Sequence, residues 1–514
     1  MKKIIFSIII CLLGLSFSAC HDLLNEPPEN TLIQEEIDYT IKEDLIKPIH
    51  GLYGRIYNVQ GFGNYPIMSV RGDDVNAGGL GDQPELAEMD KYRYYRVWWM
   101  SNDAWNVIYQ RILDALNTEG ELQAYKDGGA DAKAADCYIA ETKVIRAFFL
   151  YYLSQLWGDI LIPTTGDPTD LFVVPLSSQE EVMQHISDLM DEAIPALPDM
   201  HPKNRSDIPG GVTKGMAYAM KARANQMLKN YQKVAEATSE IIKSGHFALE
   251  PDFYEMFYTK LSKESLFEYQ YSVFGTNTGT QLNCPFNDFF GPQKISATEG
   301  WRPKATAVNG GWGFFEPSLK YIKFMIDRKE TVRLETTVWF SPRGIAEIRK
   351  DPKYVNLPDW ISNETRSGDV LLDFPRALFS AGKFIQPSDR NHTGRNGISA
   401  GKNFICIRYA EILLMHAEAL VQGGTGSSIT ALQAVNQVRS RAKMPDVTAV
   451  NMDVVADEKF AELATEWGHR FYDCIRWGKL NELSYDGKTF SKELTFLYYP
   501  QEQVDLLPVL RGVR

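Results

Sequence analysis

Cysteine is scarce in this chain, six in 514 residues, and no Cys-x-x-Cys pair occurs, so neither a dithiol redox site nor a zinc ribbon can be written from them. The eight histidines show no His-Glu-x-x-His and no close grouping with cysteine or aspartate, which removes zinc sites of recognisable spacing. A Gly-x-Ser-x-Gly elbow and a Gly-x-x-x-x-Gly-Lys loop are both missing, so a serine-hydrolase nucleophile and a phosphate cradle are not offered. With no EF-hand pattern, calcium could be held only by scattered oxygens such as those around Gly72-Asp73-Asp74, and no other cofactor is expected. Positive charge is short as well: 54 Lys and Arg face 66 Asp and Glu, a net charge of −12. That balance argues against nucleic acid or an anionic membrane surface as a partner and favours a neutral ligand.

What is present is apolar and aromatic. A 44% hydrophobic content over this length can bury a large core. Aromatics reach 12%, with 10 Trp and 25 Tyr, so some rings are read as serving a surface. The chain is organised around 404–442. There Ala410, Leu413, Leu414, Ala417 and Leu420/Val421 recur at helical spacing, with Glu411, Glu418 and Gln422 on the other face. The glycines at 423, 424 and 426 break the helix, and Ser427 or Ser428 can cap a second one carrying Ala431, Val435, Val438 and Ala442. Such hairpins bury their apolar faces only when stacked, which predicts more of them. The stretch 213–245 supplies another, with Ala217, Met220, Ala224, Met227 and Leu228 followed by Val234, Ala237/Thr238 and Ile241, closed by Gly245. Helices are also predicted over 43–57, from Ser101 or Asn102 onward, over 137–156 and over 177–197.

The fold class expected is mostly α: a tetratricopeptide-like helical-repeat scaffold with a loop-rich ligand-binding portion and few short strands. Two stretches depart from the helical pattern. Residues 60–100, rich in Gly, aromatics and charge, read as one long loop, and 250–400 read as loop-rich with a strand-like alternation at 264–273.

The N-terminus carries Lys2 and Lys3, an apolar segment over 4–15 too short to span a bilayer, and then Ser16-Phe17-Ser18-Ala19-Cys20. Small residues before a cysteine resemble a bacterial lipoprotein processing site, with Cys20 the lipidated first residue and the polar, Pro-rich segment after it a tether. Phe17, where an aliphatic residue is usual, departs from that pattern. Residues 1–19 are thus read as a signal peptide. Residues 20–514 are read as a single domain, with a helical part over 20–249, the loop-rich portion over 250–400 and a second helical part over 401–514. Cys137, Cys284, Cys406 and Cys474 are read as buried free thiols, one disulfide remaining open.

A family resemblance joins these pieces. Arg408-Tyr409-Ala410-Glu411-Ile412-Leu413-Leu414-Met415, then Ala417-Glu418-Ala419 and Asn436-x-x-Arg439-x-Arg441-Ala442, resemble the C-terminal signature of SusD/RagB-type outer-membrane nutrient-binding lipoproteins. Glu141…Arg146-Ala147-Phe148 and Leu156-Trp157-Gly158-Asp159 resemble the family's first block, and Glu466-Trp467-Gly468-His469-Arg470 its last, with Trp467 widening the usual Glu-Gly step. The resemblance implies a lipid-anchored, surface-exposed outer-membrane protein that binds an oligosaccharide without cleaving it and passes it to a TonB-dependent SusC-like transporter.

A sugar offers a flat C–H face and a rim of hydroxyls, so its site needs exposed rings and planar polar groups. The excursion 71–102 offers Arg71, Asp73, Asp74, Asn76, Tyr95, Trp98, Trp99 and Asn102, and Trp99-x-x-Asn102 resembles a position from which family members supply part of their ligand platform. A second excursion offers Trp301 and Trp312 beside glycines. The charged residues of the helical signatures, Glu141, Arg408, Glu411, Glu418, Glu466, Arg470, Asp473 and Arg476, are read as ion pairs between stacked helices and not as acid/base catalysts. Rival readings are a peptide-capturing importer component, a helical surface glycosidase with two cleft carboxylates, and an interaction scaffold whose loops bind nothing.

Overall fold

The structure is a computed structural model describing residues 37–57, 70–79, 83–271, 289–293, 298–305, 310–390 and 401–513. The leader, Cys20 and Cys284 lie outside the described residues. Apart from the single turn Phe253–Met256, the helices in chain order are α1 (Ile46–Tyr57), α2 (Pro84–Asp90), α3 (Trp99–Asp127), α4 (Ala132–Trp157), α5 (Gln179–Ala193), α6 (Lys214–Met227), α7 (Tyr231–Ser244), α8 (Leu319–Asp327), α9 (Val332–Thr337), α10 (Pro342–Arg349), α11 (Tyr409–Val421), α12 (Ala431–Arg441), α13 (Met452–Leu463), α14 (His469–Arg476) and α15 (Gln501–Leu506). The strands are β1 (Val75–Gly78), β2 (Ile160–Leu161), β3 (Leu176–Ser177), β4 (Ser265–Tyr269), β5 (Trp301–Arg302), β6 (Phe314–Pro317), β7 (Val338–Phe340), β8 (Val370–Leu371), β9 (Phe379–Ala381) and β10 (Phe404–Arg408). Among the described residues they form two-stranded antiparallel ladders, β1–β6, β2–β3, β4–β10, β5–β8 and β7–β9.

The scaffold is a stack of helices of the tetratricopeptide-like kind. α3 packs on α4, α4 on α5, α5 on α6, α6 on α7, α7 on α11, and α11 on both α12 and α13. The two alanine-rich hairpins, far apart in sequence, therefore meet face to face. Their seam is Ala222, Ala235, Ala237, Ala419, Val234 and Met415, all buried, and the small side chains let the backbones approach closely. His416 lies within this seam as a satisfied core residue, Nδ1 at 2.8 Å from the Thr238 hydroxyl and Nε2 at 2.9 Å from the Ile429 carbonyl.

Helix ends follow local chemistry, with two departures from the sequence reading. Ser178 closes a capping box with Glu181 ahead of α5, and Gly245 ends α7 in the left-handed conformation. The cap of α12 is Thr430, which forms a capping box with Gln433, whereas Ser428 turns inward toward His416 and Ser239. The stretch 404–442 also begins with a strand: Phe404–Arg408 pairs with the strand foreseen at 264–273, and α11 starts only at Tyr409. Helix α11 has no polar face over most of its length, because Glu411 and Glu418 are buried like their apolar neighbours.

Those carboxylates are part of an internal charge lattice. Arg223 holds Glu411 through a two-pronged fork of 2.7 and 2.8 Å, and Glu418 receives Arg476 and, at 3.2 Å, Lys459. Arg408 reaches Glu264 at 2.9 Å, Glu462 at 2.6 Å and Glu466 at 2.7 Å. Burial alone raises the Glu462 carboxyl's proton affinity, but Arg441, Arg408 and Arg333 converge on it and hold it well below the usual carboxylate range. The signature charges are buried ion pairs, Glu411–Arg223 and Glu418–Arg476 between helices and Glu141–Arg205, Arg408–Glu264 and Arg470–Asp73 between a helix or strand and a neighbouring loop. Cys406 and Cys474 are buried free thiols and Cys137, also free, is half-buried. Among the described residues no helix is long and apolar enough to cross a membrane.

Candidate functional site

The excursion read as a loop over 60–100 holds a strand and a helix where it is described, and this changes the fate of its side chains. β1 precedes α2 in the chain, and α3 begins at Trp99, two and three residues ahead of the Ser101 and Asn102 expected to cap it. No side chain next to the helix start caps it. Glu85 of α2 does so from outside, its carboxylate accepting the Met100 N–H at 3.2 Å and the Trp99 N–H at 3.4 Å. Those N–H groups belong to the unpaired first turn, where an acceptor of negative charge is favoured. The cap fixes the point from which Trp99 projects.

The first part of the excursion runs inward. Arg71 is fully buried, donating to the Thr495 carbonyl at 3.0 Å and the Tyr472 hydroxyl at 2.9 Å, with its guanidinium 4.3 Å from the Phe471 ring centre. Asp73, equally buried, is bound by Arg470 at 2.7 Å and Lys320 at 2.6 Å. Asp74 accepts the Thr465 N–H at 2.7 Å, and burial, with Asp73 beside it, pushes its carboxyl up to about 6. Asn76 is half-buried and its amide oxygen accepts from Tyr485 at 2.9 Å and Lys488 at 3.0 Å. Trp98 is buried edge-on to Tyr94 and Tyr95, and Trp301 is buried against Trp339. Arg71, Asp73, Asp74, Trp98 and Trp301, expected to present polar groups and rings to a ligand, are thus enclosed by their own chain. With Asp73 held by two cations and Asp74 by a backbone donor, this pair is also not arranged as a calcium ligand set, and among the described residues no group of three or more His, Cys, Asp or Glu is placed to hold a metal ion.

The remaining candidates do face outward. Tyr95 is 51% exposed, Trp99 50% and Trp312 39%. Asn102, on the first turn of α3, is half-buried; its amide donates to Glu502 at 2.6 Å and accepts from Gln503 at 2.8 Å, so α15 sets its orientation. Sequence reasoning missed Tyr498, which is 39% exposed and has the Arg96 guanidinium 5.8 Å from its ring centre, beside the 95–102 segment. The signal was faint. Tyr498 sits in Tyr498-Tyr499-Pro500, with none of the glycines that marked the other exposed rings.

The two ring-bearing excursions are tied together. α2 packs on β1, β1 pairs with β6, and the Gly79 N–H donates to the Arg376 carbonyl at 2.8 Å while Arg376 donates to the Trp312 carbonyl at 3.0 Å. Gly78 has φ 65 and a Cβ there would lie 2.9 Å from the Gly313 carbonyl oxygen, so the close approach requires glycine. Behind β6, Glu316 accepts the Leu378 and Phe379 N–H groups at 2.6 and 3.2 Å, and burial pushes its carboxyl up to about 7. The arrangement is a set of exposed rings on braced supports. Glu85 and Glu316 each hold backbone N–H groups, and Glu502 holds the Asn102 amide.

Comparison with known proteins agrees with this architecture. Residues 263–506 match the model of the SusD family, and residues 82–219 match a second model described as starch-binding associating with outer membrane. A SusD-like protein of Formosa agariphila is 26% identical over 94% of this chain and 92% of its own length, and one of Bacteroides ovatus is 22% identical over 91% and 82%. Among solved structures, a laminarin binding SusD-like protein superposes with a TM-score of 0.72 at 21% identity, covering 90% of this chain and 97% of that one. The surface glycan-binding protein A of Bacteroides thetaiotaomicron, solved in complex with laminarihexaose, gives a TM-score of 0.72 at 20% identity over 90% and 97%. The repeat seam, the Arg408–Glu462–Glu466 lattice and these matches over both halves lead to one statement: the chain belongs to the SusD/RagB family.

Proposed function

We propose that this chain captures an oligosaccharide at the cell surface, without cleaving it, on the ring face formed by Tyr95, Trp99 and Trp312, with Asn102 orienting hydroxyls and Tyr498 extending the face. The observation that carries this reading is the exposure of those rings on capped and cross-braced segments in a chain that buries even its arginines. Exposed indoles and phenols are suited to the C–H face of a sugar, and rigid supports lower the entropy lost on binding. Trp98 packs edge-on to Tyr95 beneath the face, and Arg71, Asp73, Asp74 and Trp301, enclosed by their own chain, do not touch ligand. The protein binds and is not an enzyme, in keeping with its family. Residues 1–19 are removed as a signal, Cys20 carries the lipid, residues 20–514 act as one domain on the outer membrane, and bound glycan passes to a TonB-dependent SusC-like transporter.

The test is calorimetric titration of the chain with laminarihexaose and a panel of neutral polysaccharides, repeated with Trp99→Ala and Trp312→Ala. Saturable binding that either change weakens supports the reading. Binding of peptides and no glycan, release of new reducing ends, or indifference of all ligands to both changes overturns it.

A further inference from the structure

Apart from the ring face, the loop-rich portion holds a cleft of about 210 Å³ whose lining includes Glu335, Trp339, Trp360, Ser362, Thr365 and Arg366. It lies wholly within the described residues and shares none with the face around Trp99. Glu335 is the unusual member. It stands half-buried on α9, and its carboxylate lines the cleft with no protein partner among the described residues and with its oxygens not sealed from solvent. Burial raises its proton affinity, the nearby Arg366 partly opposing this. Most other half-buried carboxylates in this protein are satisfied, as Asp252 is by Arg366 at 2.9 Å. Glu335 lines the cleft as a solvent-facing acceptor within reach of a ligand's donors.

The rest of the lining narrows the chemistry. Trp339 forms a buried wall, backed by Trp301 at 5.8 Å between ring centres, and Trp360 is half-buried at the mouth. Ser362 and Thr365 also line the cleft, their hydroxyls bonded within the loop to the Glu364 carbonyl and to Ser367, and Arg366 is held by Asp252 and lies 4.7 Å from the Tyr254 ring centre. A cleft that mixes an acceptor-only group, donors and indole surface matches a ligand whose polar groups both donate and accept, which is the nature of a hydroxyl. An ammonium ligand would gain from Glu335 but be repelled by Arg366. The volume corresponds to about seven waters at ~30 Å³ each, smaller than the usual range for drug-sized ligands and right for one ring.

We propose that this cleft is a second sugar-binding site, taking a single neutral pyranose, with Glu335 accepting from two neighbouring hydroxyls and Trp360 covering the ring. It does not depend on the Trp99 face binding anything. The full chain is titrated calorimetrically with D-glucose, D-galactose, D-mannose and D-xylose up to about 100 mM, the range of weak single-ring contacts, and with D-glucosamine as a cationic control. The expected result is saturable binding of at least one neutral sugar. Glu335→Gln should weaken it about tenfold, with Trp360→Ala acting likewise and Trp99→Ala leaving it unchanged. Trp360→Ala counts only if its thermal transition remains cooperative, and Glu335→Gln, which preserves shape, decides otherwise. Absence of saturable binding by any neutral sugar, binding untouched by Glu335→Gln, or binding of D-glucosamine alone overturns the proposal. Failure of the ring-face reading has a different signature: laminarihexaose affinity indifferent to Trp99→Ala, whatever the single sugars do.

Discussion

The charged seam behind β10, distinct from the alanine seam of the hairpins, and the rim at the start of α3 use opposite residue types for opposite jobs. At the seam the interior is charged: Arg408, Arg333, Glu264 and Glu462 are all enclosed, each with partners of the other sign. At the rim the exterior is aromatic, with Tyr95, Trp99, Trp312 and Tyr498 left open to solvent. Base rates run the other way, since arginine and glutamate are almost never fully buried unless paired and large rings are mostly hidden. Geometry explains both. Stacked helices related by a superhelical twist leave gaps that long, forked side chains can bridge in several directions at once, and Arg408 spans three carboxylates where no apolar residue could satisfy even one. At the rim, Trp99 stays outside on a capped helix start and Trp312 beside a cross-strand brace.

The sharpest way to break this comparison is to remove the seam's centre. Arg408→Met leaves Glu264, Glu462 and Glu466 short of a partner in a dry interior, and breaking a buried ion pair in this way costs about 3–5 kcal/mol. The expected outcome is a large fall in the denaturant midpoint, or loss of soluble protein. A fall of under about 1 kcal/mol would mean that the lattice is not what joins α13 to β10.

Next in size is the carboxyl at position 74. Its folded pKa of about 6 lies above its ordinary value, so its contribution to stability is fully present below pH ~4 and is lost as pH rises through about 6. The two-unit difference corresponds to about 3 kcal/mol. Asp74→Asn removes the titration, so the variant's stability should vary less between pH 4 and 7 than that of the parent chain, measured by urea unfolding at each pH. Parallel curves would show that Asp74 is not enclosed as described.

At the rim the readout inverts. Trp99→Ala should weaken laminarihexaose binding tenfold or more, equal to ~1.4 kcal/mol, while the denaturant midpoint stays where it was, because half of the ring already faces water. A variant that unfolds but binds normally when folded would place Trp99 with the core residues, and the contrast between seam and rim would fall.

Much of the scaffold was legible because helical periodicity survives single-sequence reading. The hairpins at α6/α7 and α11/α12 and the apolar helix α4 lie where spacing placed them. Legibility ended where partners come from far along the chain. Glycines and charges at 71–74 look like a solvated loop, and nothing local reveals that Arg470, Tyr472 and Thr495, about four hundred residues later, receive them. Trp98 and Trp99 are neighbours with the same side chain, yet one is buried and the other open, since α3 begins between them. The start itself was misplaced because its cap, Glu85, belongs to another helix. Residue type named the chemistry of the rim, while the tertiary fold decided which ring carries it.

The smallest effect tests whether that external cap matters to binding as well as to folding. Glu85→Ala removes the acceptor for two first-turn N–H groups, a loss of about 1 kcal/mol for a typical cap. Glu85→Gln keeps an acceptor oxygen and gives up only the favourable charge at the helix start, worth about 0.3–1 kcal/mol, so its stability should lie between the alanine variant and the parent. If the cap also sets the direction of Trp99, then Glu85→Ala weakens laminarihexaose binding two- to fivefold although Glu85 offers the ligand nothing itself, and Glu85→Gln recovers most of it. A fall in stability with unchanged affinity would mean that packing of Trp98 beneath, and not the cap, aims the exposed ring, and would move the origin of the rim's rigidity from α2 to the buried half of the tryptophan pair.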